Sequence, residues 1–344
     1  MPADRSHCLD DHTHRNGEYR ILNINTLPLV DPAARQLAQA FAAFDPSRQP
    51  LGEYRASLAN ALAAAIPAAK VSFADRIIPG YSDSQHVRLL IYAPERAGGE
   101  RLPAIFFLHS SGFITGTPDQ YSTANYALAQ KHGAIVVSVQ YRLAPEFPFP
   151  AALQDAYAGL SWLFENTEEL GVNPASIIVM GESAGGGLAA MLALLARDRG
   201  KCALRGQVLI YPMLDPRTGT NEAPTCNPTT GEFVWTVQHN RFAWSALRGE
   251  TPIDAEWAPY FAPAVAPELA ALPSTFIAVG ALDLFLEEDV AYALRLSRAG
   301  VSVETHVYPG GIHGFDLVPC EVASQYRTDL ASAIERMLAA EARN

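Results

Sequence analysis

Short runs of apolar, often β-branched residues alternate along the chain with longer segments whose apolar positions recur every three to four residues. The short runs predict strands, and the later ones are apolar throughout, which is typical of strands buried on both faces of a sheet. Strands that alternate with helices predict an α/β fold with a mostly parallel central sheet. The predicted strands comprise residues 87–92, 104–109, 134–140, 177–181, 207–211, 275–280 and 301–308.

Two stretches depart from this alternation and predict a helical cap over the sheet. Helical patterns at residues 31–44 and 51–66 precede any convincing strand and are rich in Ala and Leu, so residues 1–70 are predicted to form an N-terminal cap segment. Residues 213–272 are rich in Pro, Gly, Thr and aromatics and are predicted to be a cap insertion. The core then comprises residues 71–212 and 273–344. Its helices are predicted at residues 118–131, 151–164, 183–197, 286–299 and 322–340.

The composition is that of a globular protein with an acidic charge balance. Of the 344 residues, 49% are hydrophobic, which is enough to bury a large core in one domain with insertions. Acidic residues number 36 against 25 basic ones, and the formal net charge of −11 argues against nucleic acid or an anionic membrane as a partner. No apolar stretch reaches the roughly 18 residues of a membrane span, and the polar start lacks the apolar run of a secretory signal.

The four cysteines are scattered without C-x-x-C spacing, which favours a reducing, cytoplasmic location. The start of the chain carries several side chains that could bind a metal ion, but a polar chain end can hold such residues while it stays solvated. A solvated tail is the favoured interpretation, and neither a metal nor a cofactor is expected. These side chains are His7, Cys8, Asp10, Asp11, His12 and His14.

The strongest chemical signal is Gly181-Glu182-Ser183-Ala184-Gly185, a G-x-S-x-G sequence directly after an apolar run and directly before a helical pattern. A sharp strand-to-helix turn needs glycine on both sides of the serine because the strained turn leaves no room for neighbouring side chains. The turn also places the hydroxyl at the positive end of a helix. The pattern predicts Ser183 as a nucleophile, and the alternative is an ordinary glycine-rich turn.

A serine hydroxyl is a weak nucleophile at neutral pH, so a base must take its proton. The strand-to-helix turn that carries such a serine is called the nucleophile elbow. Where the elbow serine is the nucleophile, an acid and then a histidine follow it along the chain. Asp283 lies just after a predicted strand and is predicted to be the acid, with a helix N-cap as the alternative role. His313 lies in a glycine-rich loop after the last strand and is predicted to be the base. His306 falls inside a strand and His239 inside the insertion, which predicts structural positions for both.

Several motifs together resemble the bacterial hormone-sensitive-lipase-like esterases of the α/β-hydrolase superfamily. They occur in the family's order: His109-Ser110-Ser111-Gly112-Phe113, Tyr141-Arg142-Leu143-Ala144-Pro145-Glu146, the Gly-x-Ser-Ala-Gly-Gly elbow, Asp283-Leu284-Phe285-Leu286-Glu287-Glu288 and His313-Gly314-Phe315. The resemblance implies an α/β-hydrolase fold and a triad of Ser183, Asp283 and His313. It further implies hydrolysis of short- to medium-chain acyl esters without a metal or organic cofactor. The oligomeric state stays open, with a homodimer as one alternative because dimers are common among similar esterases.

The oxyanion loop departs from the family pattern, because His-Gly-Gly-Gly is replaced by His109-Ser110-Ser111-Gly112. The resemblance assigns the oxyanion hole to the backbone N–H groups of Ser111, Gly112 and Ala184, and it gives His109 the role of supporting the loop. Serine offers a backbone N–H as glycine does, but it tolerates a positive φ poorly. The replacement therefore predicts either another path of the loop or a site that accepts a narrower or different acyl group.

Together these patterns predict a serine carboxylic ester hydrolase that acts on a small-molecule ester through an acyl-enzyme. The same triad could act on a lactone, a carbamate or an amide, or transfer the acyl group to an alcohol, and the sequence does not separate these reactions. A non-catalytic ligand-binding protein on the same fold is a further alternative, against which the intact His313 argues.

Overall fold

The computed structural model describes residues 25–41, 46, 49–65, 71–82, 84–95 and 99–339, and within these ranges eight strands form a single sheet. In chain order, β1 to β8 comprise Ala74–Pro79, His86–Tyr92, Leu102–Leu108, Ile135–Gln140, Val172–Glu182, Gly206–Ile210, Ser274–Gly280 and Val303–Tyr308. Across the sheet they lie in the order β1-β2-β4-β3-β5-β6-β7-β8. β2 pairs antiparallel with β1 and with β4, whereas the other neighbouring strands pair in parallel. The predicted α/β fold with a mostly parallel sheet is confirmed.

The sequence pattern did not predict β1, which forms one edge of the sheet. Its sequence Ala-Asp-Arg-Ile-Ile-Pro lacks a regular alternation of apolar and polar positions and buries only Ile78. An edge strand packs against little of the core and tolerates a proline, here Pro79, so its sequence carries a weak strand signal. β5 also begins earlier than predicted, at Val172, because Asn173, Pro174 and Ala175 are exposed and separate Val172 from the apolar run.

Helices cover both faces of the sheet. In chain order, α1 to α8 comprise Arg35–Ala40, Leu51–Ala65, Ser122–His132, Ala151–Glu165, Ala184–Arg199, Val237–Arg248, Leu286–Arg298 and Glu321–Ala339. α4, α5 and α7 pack on one face, and α3 and α8 pack on the other. The helix predicted at residues 31–44 is shorter than expected, because a 3-10 turn over Pro32–Ala34 precedes α1. Residues 42–44, 66 and 340 of the predicted helices lie outside the described residues.

The pleat of the strands divides the core between the two faces of the sheet. In β3, Phe106 and Leu108 share a cluster with α4 and α5, whereas Ile105 and Phe107 share one with α3 and α8. α5 is buried from its first residue to Ala196, so it runs through the centre of the molecule. The junction of β5 and α5, which carries the predicted nucleophile, is therefore held by packing on all sides.

The parallel strands bring the predicted catalytic residues to one edge of the sheet. β5, β6, β7 and β8 are neighbours and run in the same direction, so their carboxyl ends lie at the same edge. Ser183 follows β5, Asp283 follows β7 and His313 follows β8. Ligand sites of open α/β sheets form outside this edge, in the loops that leave the strands.

Both stretches that were predicted to form the cap contact loops at this edge. Val30, Ala34 and Ala38, from the N-terminal segment, share a buried cluster with Leu282 and Ile312, which lie next to Asp283 and His313. A second cluster joins α2 to the loop after β3 and to α6 of the insertion. Its members include Tyr54, Ile114 and Phe242. The two stretches are thus packed against the loops that carry the predicted site.

In the described ranges, the helices lack the combined length and apolar character that a bilayer crossing requires. The potential metal ligands at residues 7–14 lie outside the described residues. Within the part that is described, no three His, Cys, Asp or Glu side chains come together as a metal site would require.

Candidate active site

Ser183 occupies a sharp turn between β5 and α5. Its backbone has φ 54° and ψ −121°, a conformation that a residue with a side chain adopts only under strain. The turn requires glycine on either side. A Cβ on Gly181 would lie 2.1 Å from the carbonyl oxygen of Gly185, and a Cβ on Gly185 would lie 2.2 Å from that of Leu108. Ala184 is the first residue of α5, so the Ser183 side chain stands at the N-terminus of that helix.

The structure brings Ser183, His313 and Asp283 into one hydrogen-bonded line. His313 Nε2 lies 2.9 Å from Ser183 Oγ, and His313 Nδ1 lies 2.8 Å from Asp283 Oδ2. The second carboxylate oxygen of Asp283 accepts the Phe285 N–H at 3.0 Å, in the turn that leads into α7. The N-cap of α7 is Phe285, so Asp283 supports the turn before the helix and does not cap it. Ser183 is 3% exposed, Asp283 1% and His313 7%.

Other histidines lie in structural positions, as the sequence predicted. His306 is part of β8, where its Nε2 lies 2.8 Å from Glu304 Oε1. His239 is part of α6, and its Nδ1 lies 2.7 Å from the hydroxyl of Thr236, the N-cap of that helix. Neither ring is joined to Ser183, and His306 is thus a useful control for the role of His313.

The oxyanion loop accommodates Ser110 and Ser111 without left-handed strain. Positive φ occurs at Gly112 (55°) and Phe113 (62°), and neither serine adopts it. Replacing two glycines by serines therefore costs no backbone strain at these positions. Within the described residues, the backbone N–H groups of Ser111, Gly112 and Ala184 donate to no protein acceptor. They are available to an oxyanion.

A chain of hydrogen bonds occupies the Ser111 hydroxyl. Ser111 Oγ accepts the Phe113 N–H at 2.8 Å and lies 2.7 Å from the Tyr141 hydroxyl. The Tyr141 hydroxyl donates to Ser111 Oγ and also lies 2.7 Å from the His109 carbonyl oxygen, so it shares its proton between the two acceptors. These contacts hold the Ser111 side chain in place.

The other two loop side chains are held in a similar way. Ser110 Oγ lies 2.6 Å from the Tyr121 hydroxyl. The His109 ring stacks on the Tyr141 ring with centroids 4.3 Å apart and planes 10° apart. Burial lowers the pKa of His109 to about 4, so the ring is neutral at neutral pH. These contacts fit a residue that supports the loop.

An acidic pair lies behind the nucleophile. Burial, and after it the negative charge of Asp316, raises the pKa of Glu182 to about 8. Burial likewise raises the pKa of Asp316, which accepts the Tyr211 hydroxyl at 2.9 Å. The Tyr211 ring lies 4.7 Å from the His313 ring, centroid to centroid. A raised pKa keeps part of this pair protonated and limits the negative charge beside the histidine.

Sequence reasoning missed the partners of the serines and the role of Glu288. A buried hydroxyl needs a hydrogen-bond partner, so serine in place of glycine was the signal that a partner such as Tyr121 or Tyr141 lies nearby. Glu288 accepts the Leu214 N–H at 2.6 Å and the Asp215 N–H at 3.2 Å. It thereby ties α7 to the first residues of the insertion.

Several known proteins of similar sequence and structure are named as esterases. A family model described as the α/β-hydrolase fold matches residues 105–317. The carboxylesterase NlhH of Mycobacterium tuberculosis is 34% identical over 246 residues, which are 69% of this chain and 73% of that protein. A solved bacterial heroin esterase is 33% identical, with a TM-score of 0.83 over 92% of this chain and 100% of its own. An esterase of Pyrobaculum calidifontis is 32% identical, with a TM-score of 0.78 over 90% and 100%.

The extent of these matches identifies the family. The family model spans more than half of the chain, and it includes Ser183, Asp283 and His313. NlhH is similar over more than two thirds of the chain, and the two solved esterases are similar over nearly all of it. The resemblance inferred from the sequence motifs is confirmed. The chain belongs to the α/β-hydrolase family, among its hormone-sensitive-lipase-like esterases.

Proposed function

We propose that this chain hydrolyses carboxylic esters of short- to medium-length acyl chains through a covalent acyl-enzyme on Ser183. The predicted enzyme class, a carboxylesterase, is confirmed by the family and by a relative of that name. One observation carries the mechanism: the unbroken hydrogen-bonded line from Ser183 through His313 to Asp283. The residues in this line are those that a serine hydrolase uses to activate its nucleophile.

The first step joins the acyl group to the enzyme. His313 Nε2 takes the proton of Ser183 as its oxygen attacks the ester carbonyl carbon, and the electron pair of the carbonyl bond moves to the carbonyl oxygen. Asp283 accepts a hydrogen bond from Nδ1, which holds the ring in the tautomer that can accept a proton at Nε2. The buried carboxylate also stabilises the positive ring that results.

The oxyanion is held by the main chain of the loop and of the elbow. The backbone N–H groups of Ser111, Gly112 and Ala184 donate to it, and that of Ala184 lies at the positive end of α5. The hydroxyl of Ser111 is assigned no part in it, because its oxygen is held by the Phe113 N–H and by the Tyr141 hydroxyl. Backbone donors are fixed before the reaction and need no ordering of a side chain.

The remaining steps release the alcohol and then the acid. The tetrahedral intermediate collapses as the protonated ring of His313 gives its proton to the leaving alkoxide, and the acyl group stays on Ser183. A water molecule then attacks the acyl-enzyme with His313 again as the base, and the second tetrahedral intermediate collapses as the ring returns its proton to Ser183 Oγ and the acid leaves. These residues supply every proton transfer, so we propose that the enzyme acts without a metal or organic cofactor.

We further propose that residues 1–70 and 213–272 act as a cap over the core of residues 71–212 and 273–344. Support comes from the buried cluster of Val30 and Ala34 with Ile312, and from the cluster of Tyr54 with Phe242. A cap of this kind buries the apolar part of a substrate and excludes water from the site.

A cytoplasmic homodimer is the assembly and location that we propose. Free Cys202, Cys226 and Cys320 support a reducing compartment. β8 is the last strand in the sheet order and exposes 43% of Val307, which supports a contact between copies at this edge. Light scattering after size-exclusion chromatography tests the dimer, and a monomeric mass at micromolar concentration would rule it out.

Ser183→Ala tests the proposed function. Its kcat on p-nitrophenyl acetate and butyrate should fall by about four to six orders of magnitude, because the triad acts as a unit. Ser138→Ala is the matched control, since this buried hydroxyl of β4 has no hydrogen-bond partner within the described residues.

An organophosphonate should label Ser183 in the wild type. Retention of more than about a tenth of the activity by Ser183→Ala would refute the assignment, and a folded wild type that turns over no ester would favour the ligand-binding alternative.

A further inference from the structure

The indole ring of Trp235, in the insertion, lies beside two groups that handle the ester carbonyl. The tip of its six-membered ring is so close to Gly112 that a Cβ added there would lie 2.3 Å from it. The indole also lies 6.0 Å from the His313 ring, centroid to centroid, with 35° between the planes. Because Gly112 offers an oxyanion donor and His313 is the base, Trp235 borders the space that a bound ester must enter.

Packing and hydrogen bonds hold the indole in place. The His239 ring stacks on it with centroids 5.5 Å apart and planes 28° apart. Trp235 Nε1 donates to Asn240 Oδ1 at 3.3 Å, and Asn240 Nδ2 in turn donates to the Thr218 carbonyl oxygen at 2.9 Å. Trp235 is only 7% exposed. It therefore forms a fixed wall and not a mobile side chain.

The backbone before Trp235 is strained in a way that fixes the direction of its side chain. Val234 has φ 61°, which is unusual for a β-branched residue, and the Trp235 N–H donates to the Phe233 carbonyl oxygen at 2.7 Å. This is the strained form of a γ-turn. Strain of this kind persists where the surroundings enforce it, and it concentrates at functional sites. Here Phe233 and Val234 pack against the N-terminal cluster that includes Val30.

The chemistry of the site indicates which group of the ester meets this wall. The leaving alkoxide must face His313, which returns a proton to it. The carbonyl oxygen must face the N–H groups of Gly112 and Ala184. The acyl group takes the direction that remains, and Trp235, which packs directly on Gly112, borders that direction.

We propose that Trp235 is a specificity-determining residue that restricts the acyl group to short chains such as acetyl and propionyl. The inference rests on the proposed acyl-enzyme mechanism and narrows its substrate class. A fixed indole occupies the volume that a longer chain would fill. Each methylene group that a larger pocket can bury improves binding by about fourfold.

The test compares Trp235→Leu with a matched tryptophan variant. The ratio of kcat/KM for p-nitrophenyl octanoate to that for the acetate should rise by at least about tenfold in Trp235→Leu. Trp257→Leu removes an equally buried tryptophan of the same insertion, which contacts Tyr81 and Arg199 instead, and should keep the ratio within about twofold of wild type. Trp235→Phe, a smaller change, should give an intermediate ratio if the leucine variant folds poorly.

A second substrate series separates the acyl group from the alcohol. Acetate esters of increasingly bulky alcohols should keep the wild-type order of kcat/KM in Trp235→Leu. An unchanged octanoate-to-acetate ratio in folded variants, or a change confined to the alcohol series, would overturn the proposal. Labelling of Ser183 by an organophosphonate in every variant keeps this outcome distinct from a failure of the acyl-enzyme mechanism.

Discussion

The position of one proton decides what His313 can do. With the proton on Nδ1, the ring donates to Asp283 at 2.8 Å and leaves Nε2 free to accept from Ser183 at 2.9 Å. Asp283 is held in turn by the Phe285 N–H and is almost fully buried, so its carboxylate cannot turn away easily. The arrangement sets both the tautomer and the orientation of the proposed base.

His313→Ala and Asp283→Asn should each lower kcat on p-nitrophenyl acetate, the latter by about 10⁴-fold because an amide permits the wrong tautomer. His306→Ala should keep kcat close to the wild-type value, since its ring is engaged with Glu304 in β8. Loss of activity in His306→Ala but not in His313→Ala would show that the base is assigned wrongly.

The hydroxyls of the oxyanion loop lead to a second prediction. Ser110→Gly and Ser111→Gly should each stay within about tenfold of the wild-type kcat, because removal of a true oxyanion donor costs about a hundredfold to a thousandfold. Gly112→Ala is the positive control, since its Cβ would collide with Trp235 and its φ is positive. A loss beyond about a hundredfold in either serine variant, with an intact circular dichroism spectrum, would mean that the hydroxyl acts on the oxyanion or fixes the loop.

The sequence predicted the backbone of this loop better than its side-chain contacts. Ser111, Gly112 and Ala184 could be placed because their motifs fix where the backbone lies. The tie from Ser111 to Tyr141 joins residues 30 positions apart, and it depends on how the loop after β3 packs on the end of β4. Such a contact follows from tertiary packing, which no local pattern of the sequence encodes.

At the scale of elements, one ion pair fastens β4 to α4. Arg142 lies just after β4, and its backbone N–H and its guanidinium both donate to Asp155 of α4 at 2.9 Å. Asp155 is 2% exposed and Arg142 retains some contact with solvent. The Asp155 carboxylate thus accepts hydrogen bonds both from the backbone N–H just after β4 and from the partly buried guanidinium of Arg142.

Asp155→Ala should lower the free energy of unfolding by about 3 kcal/mol, because it leaves a half-buried guanidinium and a backbone N–H without their acceptor. Denaturant unfolding followed by circular dichroism measures the change. Glu169→Ala breaks an exposed pair with Arg76, 3.5 Å long, and should change the free energy by less than about 1 kcal/mol. Equal effects of the two variants would show that burial of the Arg142 pair adds nothing.

Which elements could be predicted depended on how deeply they are buried. The central strands β3 to β7 are apolar runs, and the sequence located them within a few residues. β1 was not predicted because only Ile78 is buried. α6 was not predicted because it lies in an insertion rich in Pro and Gly, which interrupt helical patterns. Thr236 caps α6 and was an available signal for its start, since threonine is a preferred N-cap residue.

On the scale of the whole molecule, the N-terminal segment is tied to the parts that carry the chemistry. The Asp31 N–H donates to the Gly310 carbonyl oxygen at 3.0 Å, three residues before His313. The Thr26 N–H donates to Glu232 at 2.7 Å, three residues before Trp235. The first described residues therefore hold the loop of the proposed base and the segment that directs the indole, although both lie far along the chain.

Deletion of residues 1–50 should alter catalysis far more than it disturbs the sheet. Without Val30 and Ala34, the loop of His313 and the γ-turn before Trp235 lose the surface against which they pack. We expect kcat/KM on p-nitrophenyl acetate to fall at least about tenfold, since small misplacements of catalytic groups are costly, and the relative rate on the octanoate to rise. The far-ultraviolet circular dichroism of the remaining chain should still report the α/β core. Deletion of residues 1–24 removes none of these contacts and is the control. Wild-type rates on both esters after the longer deletion would show that the N-terminal segment is not part of the site.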